Sequence, residues 1–262
     1  MIAILFPGQG SQTVGMGLEF YNNFDTVKKI FEEADDRLKY KISEIILKGP
    51  EDQLKLTQNT QPAILVVSYA IFSVLKNEYN FDFTHTTYFA GHSLGAYRAL
   101  VSAGSLKFSD ALILLFERGK SMQDAVPVGK GSMIAVLGSK ITELTQLIQQ
   151  SKISGVCEIA NDNAAGQTII SGETNSINFL QEILKENKKK CIPLNVSAPF
   201  HCSLMNPAAE VMKKKIYSVD FKKPAPDIVC NVTSKPENNP ESIKKLLVEQ
   251  IYSTVRWRES LI

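Results

Sequence analysis

The stretch Tyr88-Phe89-Ala90-Gly91-His92-Ser93-Leu94-Gly95 decides how the rest of the chain is read. Tyr88 to Ala90 is a short apolar run that closes at Gly91, as a buried strand would, and Leu94 to Ala103 takes up helical spacing directly afterwards. Gly91-His92-Ser93-Leu94-Gly95 between them fits the Gly-x-Ser-x-Gly nucleophile elbow, a sharp strand-to-helix turn that pushes the serine hydroxyl outward. Both glycines are required, because a side chain at either position would collide where strand and helix cross. The Leu94 N–H then lies at a helix N-terminus and points toward any oxyanion forming on a substrate carbonyl.

Working outward, Ile2-Ala3-Ile4-Leu5-Phe6 is a second β-rich run that stops at the loop Pro7-Gly8-Gln9-Gly10. Phe24, Val27, Ile30, Phe31, Ala34 and Leu38 recur at spacings of three and four. That predicts a helix over 24–38 with Glu32, Glu33, Asp35 and Asp36 mostly outside. The uncharged run from Pro62 to Leu75 falls short of the ~20 residues needed to cross a bilayer, so it reads as a buried helix. A further helix is expected from the capping pair Ser109-Asp110, with Ala111, Leu114, Leu115, Arg118 and Met122 on one side.

Past Gly129-Lys130-Gly131 the elements shorten: strand 132–137, helix 141–150, strand 156–161, strand 167–171, helix 175–187 and strand 190–195. That order is βαββαβ, a split ferredoxin-like unit. The expected fold class is α/β, with a large subdomain of residues 1–128 and 197–262 and a small ferredoxin-like subdomain, 129–196, inserted into it. The large part resumes with a helix after Pro207, a strand at Ile228-Val229-Cys230 and a last helix from about Ser242.

Composition narrows the function. The chain has 262 residues, 44% hydrophobic and 21% charged, with 29 Lys+Arg against 27 Asp+Glu and a net charge of +2. These are the proportions of a globular protein rather than a disordered, collagenous or acidic solvating one. The charge is too even for the basic stripe of a nucleic-acid binder, so no nucleic-acid partner is expected. Cys157, Cys191, Cys202 and Cys230 are far apart with no Cys-x-x-Cys, and the N-terminus lacks a basic-then-apolar leader. The expectation is a cytoplasmic protein with reduced thiols, no metal site and no membrane association.

A serine nucleophile needs a base. Of the three histidines, His85 precedes the strand in a Thr-rich stretch, and His92 leaves the elbow in another direction from Ser93 and reads as a prop for the loop. His201, after Ala198-Pro199-Phe200 where the chain re-enters the large part, is the candidate. A Cys/His reading of His201-Cys202 is weak, since sequence neighbours seldom face each other. Glu158, Asp162, Glu173, Glu182 and Glu186 all fall in the small subdomain, which favours a Ser/His pair oriented by a backbone carbonyl over a full triad. Gly8-Gln9-Gly10-Ser11-Gln12 fails as a nucleotide loop, because Thr13 and Met16 stand where Gly or Ala and Lys are needed. Arg118 reads either as half of an exposed Glu117-Arg118 pair or as a bidentate fork for a substrate carboxylate.

These residues resemble one family, the malonyl-CoA:acyl-carrier-protein transacylases of fatty acid synthesis and the related polyketide acyltransferases. The match runs through Phe6-Pro7-Gly8-Gln9-Gly10-Ser11-Gln12, Gly91-His92-Ser93-Leu94-Gly95, Arg118-Gly119-Lys120, Met122-Gln123, Ala160-Asn161 with Gly166-Gln167, Ser197-Ala198-Pro199-Phe200-His201, and Gln250-Ile251-Tyr252 with Val255-Arg256-Trp257. The resemblance implies an α/β-hydrolase-like core carrying the ferredoxin-like insert. It implies that Ser93 is acylated, that His201 is its base and that the Gln250 carbonyl holds the imidazole. It further implies an oxyanion hole from the Gln9 and Leu94 N–H groups, Arg118 on the malonyl carboxylate, and Phe200, His92 and Asn161 at the substrate.

Malonyl-CoA and acyl carrier protein are the implied substrate and partner, with no bound cofactor and a monomeric chain. A serine thioesterase or hydrolase, and a truncated non-catalytic carrier-binding relative, are the alternatives. The sequence departs from the family at Ala96, where Glu is usual, and at Ala164-Ala165, where Ser-Pro is common. Relatives also continue beyond Trp257 through a Gly-rich motif, so the large subdomain is expected to be truncated at its C-terminus.

Overall fold

A computed structural model describes residues 2–196 and 198–262; Ser197, the first residue expected of the returning large subdomain, lies outside them. In chain order the first half runs β1 (Ile2–Phe6), α1 (Leu18–Asn23), α2 (Asp25–Leu38), α3 (Ile42–Lys48), α4 (Glu51–Lys55), α5 (Thr57–Asn77), β2 (Thr86–Gly91), α6 (Gly95–Ser102) and α7 (Phe108–Asp124). There follow β3 (Gly131–Leu137), α8 (Ile141–Gln150), β4 (Cys157–Ala164), β5 (Gln167–Glu173), α9 (Thr174–Glu186), β6 (Lys190–Pro193), α10 (Asn206–Tyr217), β7 (Asp227–Cys230), β8 (Lys235–Glu237), α11 (Pro240–Glu249) and α12 (Trp257–Ser260). The chain is a mixed α/β protein whose described residues group into two compact units.

The first unit holds residues 2–120, 215–230 and 236–244. Strand order in its sheet is β1-β2-β7-β8, with β1 parallel to β2 and β2 parallel to β7. Parallel strands need crossovers, and the long helical stretch between β1 and β2 supplies one. Helix α5 is buried on nearly every side, Ala63, Leu65, Val66 and Val74 being at most 1% exposed, as an all-round apolar sequence requires. Removing each such Leu, Ile or Phe from water contributes about 1.5–3 kcal/mol. Phe72, Phe83 and Phe89 form an aromatic cluster, with ring centroids 4.4 Å apart for Phe72–Phe83 and 6.1 Å apart for Phe72–Phe89.

Three expectations shift here. Helix α5 begins at Thr57, upstream of Pro62, because its first turn is tied back by Thr60 Oγ1 donating to the Leu54 carbonyl at 2.5 Å and Asn59 Nδ2 donating to that of Gln53 at 2.9 Å. Asp35 is buried, since its carboxylate accepts from the Ser43 N–H at 2.9 Å and the Ser43 hydroxyl at 2.6 Å and so fixes the start of α3. Helix α7 starts at Phe108 rather than at Ser109, the N–H groups of Asp110 and Ala111 both bonding to the Lys107 carbonyl.

The second unit comprises the described residues of 121–214, 231–235 and 245–262. Its sheet order is β4-β5-β3-β6, antiparallel throughout, with Gly131 opposite Glu173 and Leu137 opposite Gln167. Alternation along β3 turns Ile134 and Val136 onto α8 and α9, where they join Leu144, Ile170, Ile177, Leu180 and Leu184 in one core. Among the described residues no helix is long and apolar enough to cross a membrane.

Candidate active site

The elbow is built as its two glycines demand. A Cβ on Gly91 would lie 1.9 Å from the Gly95 carbonyl carbon, and one on Gly95 would lie 2.5 Å from the Phe6 carbonyl oxygen. Strand end and helix start therefore touch backbone to backbone, a distance only glycine permits. The turn holds Ser93 at φ +53°, a left-handed conformation that costs energy for any residue with a side chain and is typical of functional turns. Leu94 follows at φ −55° as the N-cap of α6 and is buried. The His92 N–H donates to the Phe6 carbonyl at 3.0 Å, and its Nδ1 lies 2.6 Å from where a Cβ on Gly8 would stand. His92 thus abuts the loop that carries the exposed Gln9.

Arg118 resolves toward the buried reading. It is 1% exposed and donates through Nη2 to Ser93 Oγ at 3.2 Å and through Nη1 to Gln61 Oε1 at 3.0 Å. Glu117 turns away from it and meets Lys215 at 3.6 Å. Burial pushes the Arg118 guanidinium below its ordinary value, opposed by neighbouring Tyr97, whose own hydroxyl burial pushes up to about 12. Close packing fixes the fork: a Cβ on Gly119 would lie 2.5 Å from the Thr57 carbonyl, so α7 crosses the first turn of α5, one turn before Gln61.

In the second unit, His201 is buried at φ +59° and its Nδ1 lies 2.7 Å from the Gln250 carbonyl oxygen. A carbonyl only accepts, so Nδ1 carries the proton in that contact and Nε2 presents its lone pair. The Gln250 side chain donates to Asn231 Oδ1 at 2.8 Å, which locks the segment whose carbonyl meets the ring. Phe200, next to His201, is 8% exposed. His201 also borders a groove of about 440 Å³ shared with Glu158, Tyr252 and Thr254. Asn161 is buried on β4, bridged to Val255, where the Asp162 N–H donates to the Val255 carbonyl at 3.0 Å.

Two of the candidate acids have other work. Glu158 accepts from the Ser203 N–H at 2.9 Å and hydroxyl at 2.5 Å, while Asp162 takes a bidentate grip from Arg258 at 2.8–3.1 Å. The Cys202 thiol donates to the Pro199 carbonyl at 3.1 Å, and burial pushes its pKa up to about 11, which suits an inert side chain. His85 is an exposed surface residue 3.5 Å from Asp82. Among the described residues no cluster of three or more His, Cys, Asp or Glu could hold a metal ion.

The structure thus joins Ser93 to Arg118 and His201 to Gln250. Sequence reasoning missed Gln61 and Asn231. The signal for Gln61 was a polar cluster, Gln58-Asn59-Thr60-Gln61, set immediately before an apolar helix. Asn231, beside a predicted strand end, offered none.

Residues 4–262 match the acyl transferase domain family. The chain is 43% identical over 263 residues to malonyl CoA-acyl carrier protein transacylase of Bacillus subtilis, an alignment covering 99% of this chain and 81% of that protein. Acyl-carrier-protein-S-malonyltransferase from Bartonella henselae superposes with a TM-score of 0.96 at 42% identity, over 100% of this chain and 84% of that one. A malonyl-transacylase solved in complex with a type II PKS acyl-carrier protein superposes with a TM-score of 0.93 at 38% identity, over 98% of this chain and 82% of that one.

Proposed function

The chain belongs to the acyl transferase domain family, and from that premise we propose that it moves a malonyl group from malonyl-CoA to the pantetheine thiol of acyl carrier protein through a Ser93 acyl-enzyme. The observation that carries this reading is the buried Arg118 fork at 3.2 Å from the Ser93 hydroxyl. A guanidinium at the nucleophile is a device for an acyl group that itself ends in a carboxylate.

In the first half-reaction Ser93 Oγ passes its proton to Nε2 of His201 and attacks the thioester carbonyl. The Gln9 and Leu94 N–H groups receive the oxyanion. Collapse breaks the C–S bond, the CoA sulfur takes the proton from His201, and a malonyl-serine ester remains while Arg118 holds the malonyl carboxylate. In the second half-reaction the pantetheine thiol gives its proton to His201 and its sulfur attacks the ester carbonyl; collapse breaks the bond to Ser93 Oγ, which takes the proton back from His201 and leaves the malonyl group on the pantetheine sulfur. The Gln250 carbonyl keeps the imidazole in the tautomer both steps use, and stabilises it when charged.

Phe200 beside the base leaves little room for an α-methyl branch, a discrimination of about 1–3 kcal/mol. His92 supports the Gly8-Gln9 turn, and Asn161 contributes to the substrate-binding wall. The reaction draws on no bound cofactor. We further propose that the chain works as a cytoplasmic monomer. The order β4-β5-β3-β6 supports a ferredoxin-like insert, 129–196, in an α/β-hydrolase-like core of 1–128 and 197–262, with β1, β2 and β7 the parallel strands of that core.

Initial rates measured while malonyl-CoA and carrier protein are both varied test the proposal. Parallel double-reciprocal lines with malonyl-carrier as product support it. Malonate released to water at the same rate with and without carrier would make the chain a thioesterase instead.

A further inference from the structure

Arg98 lies one turn beyond the elbow on α6 and is 1% exposed. Its Nη1 donates to Ser68 Oγ on α5 at 2.6 Å, while Nε and Nη2 have no hydrogen-bond partner among the described residues. The guanidinium carbon stands 6.0 Å from the centroid of the Phe6 ring, and Nη2 comes within 3.1 Å of where a Cβ on Gly95 would be. Burial alone acts on its ionisation and pushes it down to about 9. Buried arginines are rare unless paired, and an apolar side chain of the same reach would occupy such a place at less cost to stability. A costly group retained beside a reacting centre points to a role in the reaction.

The three groups around Arg98 are informative. Ser68 lies about two turns along α5 from Gln61, which holds Nη1 of Arg118. Gly95 is the residue whose packing on the Phe6 carbonyl closes the elbow under Ser93. Phe6 is the last residue of β1 before the loop that carries Gln9. We infer that Arg98 is a positioning residue: its guanidinium ties α5 to the floor of the elbow and thereby sets the spacing between the Ser93 hydroxyl and the Arg118 fork. The inference rests on the reading above in taking Ser93 as the residue that is acylated.

The test follows the rate of Ser93 malonylation by quenched intact-mass measurement, with the thermal unfolding of each protein, in the 262-residue chain and its Arg98→Met, Arg98→Lys and Ser68→Ala variants. Arg98→Met is expected to unfold at a higher temperature yet acylate about tenfold more slowly at saturating malonyl-CoA, with the half-saturating concentration unchanged. Arg98→Lys, whose ammonium can still reach Ser68, recovers most of the rate, and Ser68→Ala loses as much as Arg98→Met.

A wild-type rate in Arg98→Met overturns the inference. So does a lower unfolding temperature accompanying the slower rate, which is the mark of a merely structural residue. If Arg98→Met does not fold, Ser68→Ala decides, and a wild-type rate there overturns the inference as well. Failure of the unmodified chain to acylate would remove the Ser93 reading itself and the Arg98 role with it.

Discussion

Arg118 donates to the hydroxyl oxygen of Ser93 at 3.2 Å, with both residues buried in the same unit. On the proposed reading, the group that takes the malonyl carboxylate is the one that holds the Ser93 hydroxyl in the absence of substrate. A carboxylate taking over the fork would then free that hydroxyl, so recognition and release of the nucleophile would be one event.

Arg118→Ala should accordingly separate substrates. Loss of a bidentate charged contact is worth about 3 kcal/mol, on the order of a hundredfold in kcat/KM for malonyl transfer. Acetyl transfer, which has no carboxylate to lose, changes far less. Parallel kcat/KM determinations with malonyl-CoA and acetyl-CoA measure it, and an equal fall in both would refute the role.

How much of this was legible in the sequence differs by element. The elbow was readable because Gly91 and Gly95 are dictated by a backbone crossing, a local constraint that leaves a local signature. The βαββαβ order was readable because each short element kept its own period. The burial of Asp35 was not, since it depends on Ser43 folding back onto it from the next helix. The choice between an exposed and a buried Arg118 turned on Gln61, a contact between helices far apart in sequence. The start of α5 escaped because Pro62 looked like a boundary, whereas polar residues upstream tie the first turn to the preceding segment.

In the proposed reaction the base His201 is held by the Gln250 main-chain carbonyl, and the Gln250 side chain acts on it only by anchoring that segment. His201→Ala should lower kcat by about 10²–10⁴. Gln250→Ala removes one buried hydrogen bond to Asn231 and is expected to cost about 1 kcal/mol of stability with little effect on rate. Denaturant unfolding and steady-state kinetics on the two variants give the comparison.

The glycines should rank by their surroundings. Gly91→Ala forces a Cβ to 1.9 Å from backbone, and a loss beyond about 4 kcal/mol, or no soluble protein, is expected. Gly104→Ala meets nothing within 4 Å and suffers only its φ of +71°, a cost of about 1–2 kcal/mol. Equilibrium unfolding of both variants decides the order.

The thiols should be silent near neutrality. Burial pushes Cys202 up to about 11 and Cys157 and Cys230 up to about 12, so their reactive thiolates are scarce at pH 8 and grow only as the pH rises toward those values. Iodoacetamide at pH 8 is expected to leave malonyl transfer intact and to label these cysteines only in denaturant. Mass mapping of the labelled protein together with residual activity checks both halves.

In the proposed reaction Ser93 carries the malonyl group. Intact-mass spectrometry after brief mixing with malonyl-CoA tests it most directly, with Ser93→Ala in parallel. One malonyl-sized addition is expected on the unmodified chain, none on Ser93→Ala, and its disappearance when carrier protein is added. An addition of the same size on Ser93→Ala, or none on the folded unmodified chain, would contradict it.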